Sequence, residues 1–333
     1  MIIMHGAGNS DIGIGHLSRI NSLALEFNRL NIRVMLVLEA PKLLVTEIIN
    51  STNNIYIAED REDANEYIKK VTKEGEFIVY ITDLLDLGFE QRKFSDQCKF
   101  KVRVHLNDSN ISEYIPDIWI NGDAFRNPSN SLFNHGKTTG LMGPAYSIIR
   151  KEIVNVRPLN RKVVDEIKKI LISFGGADPG KYTEYFLGDI CVRYPSVQFN
   201  VVIGPAFSDH RIHEIVNNFT GVSNVDLLIK PQGLENLIIS SDVFISLGGI
   251  SAYEAMCLGC PVIAVQWKGM SSYVEKMDEK GFISSLGNIE DVIETLPSVL
   301  VGTTLLQKKA EYAWRLIDGR GVERVASSIL QYT

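Results

Sequence analysis

The chain has 333 residues, 45% hydrophobic and 22% charged, which is the composition of a soluble globular protein with room for about two domains. A net charge of -6 gives no global basic footprint for nucleic acid. No apolar run is long enough to span a bilayer, and Met1-Ile2-Ile3-Met4 is too short, without a charged leader, for a signal peptide. The expectation is a cytoplasmic protein, a monomer or weak homodimer, with no nucleic-acid partner and no integral membrane segment.

Short apolar runs alternate with helix-period runs, a pattern that predicts an α/β architecture with parallel sheets. In the first half the strand-like runs are Arg33–Leu38, Asn54–Ile57, Phe77–Ile81, Val102–Leu106 and Ile118–Ile120. Before the first of these, Leu17, Ile20, Ala24 and Phe27 recur at helical spacing. That helix opens on Gly13-Ile14-Gly15-His16. The glycines let the backbone approach a ligand, and a helix start offers unpaired N–H groups to an anion. His16 in its neutral form can act as a base there. Arg19 is one turn on, so the two side chains are neighbours. Arg19 is either a solvated helix charge or a partner for phosphate or for Asp11.

A polar stretch, Arg150–Lys169, separates the halves. The second half has runs at Ile170–Phe174, Gln198–Ile203, Val225–Ile229, Val243–Ser246 and Pro261–Val265. Two glycine pairs follow strands: Gly175-Gly176, leading to Asp178-Pro179, and Gly248-Gly249, leading to Ile250, Ser251 and Glu254. A strand–Gly–Gly–helix order suits close approach to a phosphate. Asp178 before Pro179 reads as an N-cap. Ser251 and Glu254 have capping-box spacing, so Glu254 either closes a helix start or accepts hydrogen bonds from ribose hydroxyls. Cys257 and Cys260 have C-x-x-C spacing without a second ligand pair, and small apolar packing is the favoured reading. Asp83, Asp86 and Asp108 read locally as loop and cap residues. The run Leu305–Leu330 predicts a terminal helix with a Gly319/Gly321 interruption.

Gly13-x-Gly15-His16-x-x-Arg19, Ser173-Phe174-Gly175-Gly176-x-Asp178, Gly248-Gly249-x-Ser251-x-x-Glu254-Ala255 and Leu258-Gly259-x-Pro261 stand in an order that resembles one sugar-nucleotide hydrolase family. Gly143-Pro144-Ala145-Tyr146 with Arg150 resembles that family's segment at the domain junction. The family is the UDP-2,4-diacetamido-2,4,6-trideoxy-β-L-altropyranose hydrolases of pseudaminic acid biosynthesis, with their spore-coat polysaccharide relatives. It is similar to the MurG-type glycosyltransferases. The resemblance implies a GT-B fold, two Rossmann-like α/β domains with parallel sheets facing a central cleft. Residues 1–150 would carry the base and 151–315 the nucleotide, with 316–333 a terminal helix packing back on the first domain.

The resemblance further implies UDP release from a UDP-linked amino- or deoxy-sugar, with no cofactor and no metal. His16 would activate water, and Tyr146 and Asp83 would stand with it at the reacting end. Asp11, Gly13, Gly15, Arg19, Asn107 and Asp108 would face the substrate. The diphosphate would lie near Gly175, Gly176, Gly248, Gly249, Ile250 and Ser251, and the ribose near Glu254. The chain departs from the family at Asp83-Leu84-Leu85, where Asp-His-Tyr is usual, and at Asn107-Asp108, where Asp-Asp is usual. Trp267–Ser272 replaces a late Asn-Gln pair. These departures predict a different sugar, or an acceptor other than water. A glycosyltransferase and a non-catalytic sugar-nucleotide binder are the other readings.

Overall fold

The computed structural model describes residues 1–9, 13–50, 54–74, 78–85, 87–106, 114–126, 129–133, 138–267 and 270–333. The chain forms two compact units. Unit 1 is Met1–Arg150 with Gly319–Thr333, and unit 2 is Lys151–Asp318.

Unit 1 holds β1 (Ile2–Ala7), β2 (Val34–Glu39), β3 (Asn54–Ala58), β4 (Val79–Asp83), β5 (Val102–Leu106), β6 (Ile118–Asn121), β7 (Ser129–Phe133) and β8 (Thr138–Met142) in one sheet. The strand order is β3-β2-β1-β4-β5-β6-β8-β7, parallel except for the β7–β8 pair. A parallel strand in such a sheet is covered on both faces, and all six residues of β1 are buried. Ile2 and Met4 pack with Leu17, Ile20 and Phe27 of the first helix, Gly15–Arg29, and with Val325, Ala326 and Ile329 from the end of the chain. Ile3 lies in the second core with Tyr80, Phe94 and Phe100.

β1 is absent from the apolar runs read above, because Met1–Met4 is short and His5-Gly6 interrupts it. The fold satisfies His5 instead of excluding it. Its Nδ1 lies 2.8 Å from the Tyr80 hydroxyl and its Nε2 2.7 Å from Glu39, which Arg61 also binds. Burial pushes the His5 imidazole down from its ordinary value. The expected terminal helix is two helices, Thr303–Leu316 in unit 2 and Gly321–Leu330 in unit 1. Gly321 is required at that start, since a Cβ there would collide with the Ser147 carbonyl.

Unit 2 holds β9 (Lys169–Ile172), β10 (Gln198–Ile203), β11 (Val225–Ile229), β12 (Val243–Ser246), β13 (Val262–Ala264) and β14 (Ser284–Ser285). The order is β11-β10-β9-β12-β13-β14, all parallel, which is a doubly wound sheet. Its core includes Ile170, Ile172, Phe186, Phe199, Val201, Ile245 and Ile263.

The parallel part of each sheet reverses its order at one place, between β1 and β4 in unit 1 and between β9 and β12 in unit 2. Ligands of open α/β sheets bind outside the carboxyl ends of the strands at that point. The loop before His16 leaves β1, and Asp83 ends β4. The two glycine pairs follow β9 and β12. The chemistry-bearing residues of each unit therefore stand at its own switch point.

Candidate functional site

In unit 1 the first helix begins at Gly15 with Ile14 as its N-cap and no side chain capping its N–H groups. Gly13 has φ +81° and donates its N–H to the Asn9 carbonyl at 3.0 Å, closing the loop. Asp11 lies outside the described residues, as do Asp86, Asn107 and Asp108.

His16 and Arg19 converge on Asp83. His16 Nδ1 is 2.6 Å from Asp83 Oδ1. Arg19 donates from Nε to Oδ2 at 2.9 Å and from Nη2 to Oδ1 at 2.8 Å. The Asp83 side chain is fully buried, while those of His16 and Arg19 keep 16% and 14% exposure. Burial pushes the Asp83 carboxyl up, but Arg19 and His16 together outweigh it and hold the group at about 2. Asp83 is therefore a carboxylate, an acceptor only, so His16 Nδ1 carries the proton. In the neutral ring Nε2 is then the acceptor nitrogen, which is the arrangement a proton-abstracting histidine needs.

This geometry predicts an acid weakness of unit 1. A carboxyl held below its unfolded value stabilises the fold above that value, near 3.9, and loses the contribution as pH falls toward 2. The expected loss is about 2 kcal/mol. Denaturant melts between pH 5 and pH 2 should show a smaller acid loss in Asp83→Asn than in the wild type. An equal loss in both would remove Asp83 as its source.

Tyr146 ends a short 3₁₀ turn, Pro144–Tyr146, and its ring packs against the main core of unit 1.

In unit 2, Gly175 has φ +89°, and a Cβ there would meet no atom within 4 Å. Asp178 is not the N-cap its spacing predicts, because the N-cap of the following helix is Lys181. The helix begins at Tyr182, so Pro179 lies outside it. The Asp178 carboxylate accepts from the N–H groups of Tyr182 and Thr183 at 3.0 and 2.9 Å, and from Arg211 Nη2 at 2.9 Å. Burial pushes its carboxyl up against these bonds. Arg211 also holds the carbonyls of Ala177 and Asp178, each at 2.8 Å, and pairs with Glu184. A Cβ on Gly204 would collide with the carbonyls of Gly175 and Gly176. Arg211 and Gly204 thus set the first glycine loop, and neither was found from the sequence. Gly204 carries a local signal, because it directly follows the run Gln198–Ile203.

After β12, the Ser246 hydroxyl accepts from Gly248 N at 3.2 Å, and Gly248 turns with φ +80°. Gly249 is the N-cap of the helix Ile250–Leu258, which has no side-chain cap. A Cβ at Gly249 would meet nothing within 4 Å. Ser251 is therefore the second helical residue and not the cap, so the capping box with Glu254 does not form. Glu254 is 2% exposed, in the second turn. What stands at this switch point is a helix N-terminus with open N–H groups, a surface that attracts an anion.

Cys257 and Cys260 are buried free thiols, and burial pushes them up to about 11 and about 12. Among the described residues, no group of three or more His, Cys, Asp or Glu side chains could hold a metal ion. Among them, too, no helix is long and apolar enough to cross a membrane.

Residues 198–315 match the family described as Glycosyl transferases group 1. The chain is 26% identical over 267 residues to the Uncharacterized protein MJ1062 of Methanocaldococcus jannaschii, covering 78% of this chain and 54% of that one. It thus spans about half the length of that relative. It is 21% identical over 342 residues to the spore coat polysaccharide biosynthesis protein SpsG of Bacillus subtilis, covering 97% and 96%. Among solved structures it is similar to Acinetobacter baumannii MurG, with TM-score 0.67, 11% identity and 99% coverage of each chain. The glycotransferase of kitacinnamycin gives 0.68 at 14% identity, covering 99% and 98%. The S. aureus MnaA–UDP co-structure gives 0.67 at 12% identity, covering 99% and 96%. The fold is GT-B, two parallel-sheet α/β domains.

Proposed function

We propose that this GT-B chain is a nucleotide-sugar hydrolase that releases UDP from a UDP-linked amino- or deoxy-sugar during nonulosonic acid or surface polysaccharide synthesis. The observation that carries this reading is the hydrogen bond from His16 Nδ1 to the buried Asp83 carboxylate, which leaves Nε2 as the proton acceptor. Water gives a proton to Nε2 as its oxygen attacks: with attack at the anomeric carbon the carbon–oxygen bond breaks and UDP leaves with the electron pair, and with attack at phosphorus the phosphorus–oxygen bond breaks and the sugar oxygen leaves with it. Asp83 stabilises the imidazolium that forms. In unit 2 the N–H groups of Gly249, Ile250 and Ser251 stabilise the charge gained by the diphosphate. Gly175 and Gly176 offer backbone to the same group, and Glu254 serves the ribose. The likeness to SpsG supports a polysaccharide setting, and the MnaA–UDP neighbour supports UDP as the nucleotide.

The test is a panel of UDP-sugars without any acceptor, followed for UDP and free sugar. Production of both supports hydrolysis, and heavy-oxygen water shows whether carbon or phosphorus is attacked. A second reading, glycosyl transfer, is favoured by the match of residues 198–315 to Glycosyl transferases group 1. It would use the same base on an acceptor hydroxyl. UDP release that appears only when an acceptor is added would replace hydrolysis with transfer. Binding of UDP-sugars with no turnover under either condition would leave a sugar-nucleotide binder. Turnover of only the family's usual sugar would overturn the expectation of an altered substrate.

A further inference from the structure

The sequence pattern offers Arg19 to the substrate, yet the geometry gives it a different task. Its Nε and Nη2 grip both oxygens of Asp83, at 2.9 and 2.8 Å. This is a two-point fork, which fixes the plane of a carboxylate as well as its charge. The terminal torsion of an aspartate is otherwise soft, so an ungripped carboxylate can rock and present either oxygen. With Oδ2 taken by Nε, Oδ1 is the oxygen turned to His16, at 2.6 Å. Arg19 Nη2 and His16 Nδ1 lie 3.0 Å apart and converge on that one oxygen. Both residues project from the first turns of one helix, so the base and the group that orients its partner move together.

We propose that Arg19 is a positioning residue: by locking the plane of Asp83 it holds the His16 ring in place and fixes the aim of Nε2. The proposal rests on the reading of His16 as the base for UDP release. It separates Arg19 from a phosphate ligand, the role its place in the motif suggests.

The experiment compares wild type, Arg19→Gln, Arg19→Lys, Asp83→Asn and the Arg19→Gln/Asp83→Asn double variant. Three measurements are made: kcat and KM for UDP release, the Kd for UDP by calorimetry, and the ring ¹⁵N shifts and Nδ1–H exchange of His16 in histidine-labelled protein, with the signal assigned by its loss in His16→Ala. Arg19→Gln is expected to lower kcat by up to about 10²-fold, the effect of misplacing a catalytic group, with UDP Kd unchanged. The double variant should be no slower than Asp83→Asn alone, because both changes remove one unit. The ¹⁵N shifts should keep the Nδ1–H form, because Asp83 remains an acceptor, while the Nδ1 proton should exchange with solvent faster than in the wild type. Arg19→Lys keeps the charge without the fork, so it should restore only part of kcat, and it carries the comparison if Arg19→Gln does not fold.

Weakened UDP binding with additive losses would make Arg19 a phosphate ligand and overturn the proposal. So would complete rescue by lysine, or an Nδ1 proton in Arg19→Gln that exchanges as slowly as in the wild type. If wild type turns over no UDP-sugar, the functional reading fails, while the Nδ1–H exchange arm still decides the role of Arg19.

Discussion

Replacing His16 with alanine is expected to lower kcat for UDP release by about 10²–10⁴-fold, the usual contribution of a positioned general base. The Kd for UDP should stay at the wild-type value, because the N–H groups assigned to the diphosphate belong to unit 2. Steady-state release assays and calorimetry on one preparation separate the two quantities. Asp83→Asn should also lower kcat without weakening UDP binding. An amide in that place can donate to His16 as well as accept, so the ring no longer has one compulsory tautomer. The buried position matters for the size of this effect. Asp83 is fully shielded, so the carboxylate makes its hydrogen bond to Nδ1 without competition from solvent at its own oxygens. Hydrolysis at the wild-type rate in His16→Ala would end the assignment of the base.

Part of this site is legible in the sequence because it is local. Gly13, Gly15, His16 and Arg19 fall within one loop and one helical turn, where spacing decides which side chains meet. Leu17, Ile20, Ala24 and Phe27 are likewise buried on one helix face, as their period requires. The partner of His16 and Arg19 is another matter. Asp83 is 67 and 64 residues further along, and its approach depends on β4 lying beside β1 with Asp83 in register with Gly6. Nothing in a linear pattern says which strands are neighbours. The apolar run in that region ends at Ile81, two residues short of the strand end, so Asp83 reads as a loop residue until the sheet is seen.

The same limit applies in unit 2. The glycine pairs are local and readable, but the residues that shape the first pair are Gly204, just after β10, and Arg211 of the helix Asp209–Phe219. The cap failed for a related reason. Ser251 and Glu254 have the correct spacing, yet the positive φ of Gly248 and the extended Gly249 start the helix two residues earlier than a Ser251 cap allows. A backbone turn decided the register, and side-chain spacing could not reveal it.

That register yields a prediction in which stability and binding move in opposite directions. Gly249 has φ -76° and ψ -157°, a conformation open to any residue, and its Cβ direction is empty. Gly249→Asp should therefore fold. Its carboxylate would cap the helix Ile250–Leu258, which has no side-chain cap, and would face the positive end of the helix dipole. The two effects together are expected to raise stability by about 0.5–1 kcal/mol. The same carboxylate would occupy the N–H groups assigned to the diphosphate and repel it. A like-charge contact at ~4 Å costs about 4 kcal/mol in a partly shielded setting, so the affinity for UDP should fall by about 10²-fold or more. Gly248→Ala is the contrasting change. With φ +80° and Val274 Cγ2 at 3.2 Å from the new Cβ, it should lower stability by about 1–2 kcal/mol. Thermal melts and UDP calorimetry on both variants read the two effects separately. A Gly249→Asp protein that melts higher and still binds UDP like the wild type would move the diphosphate away from this helix.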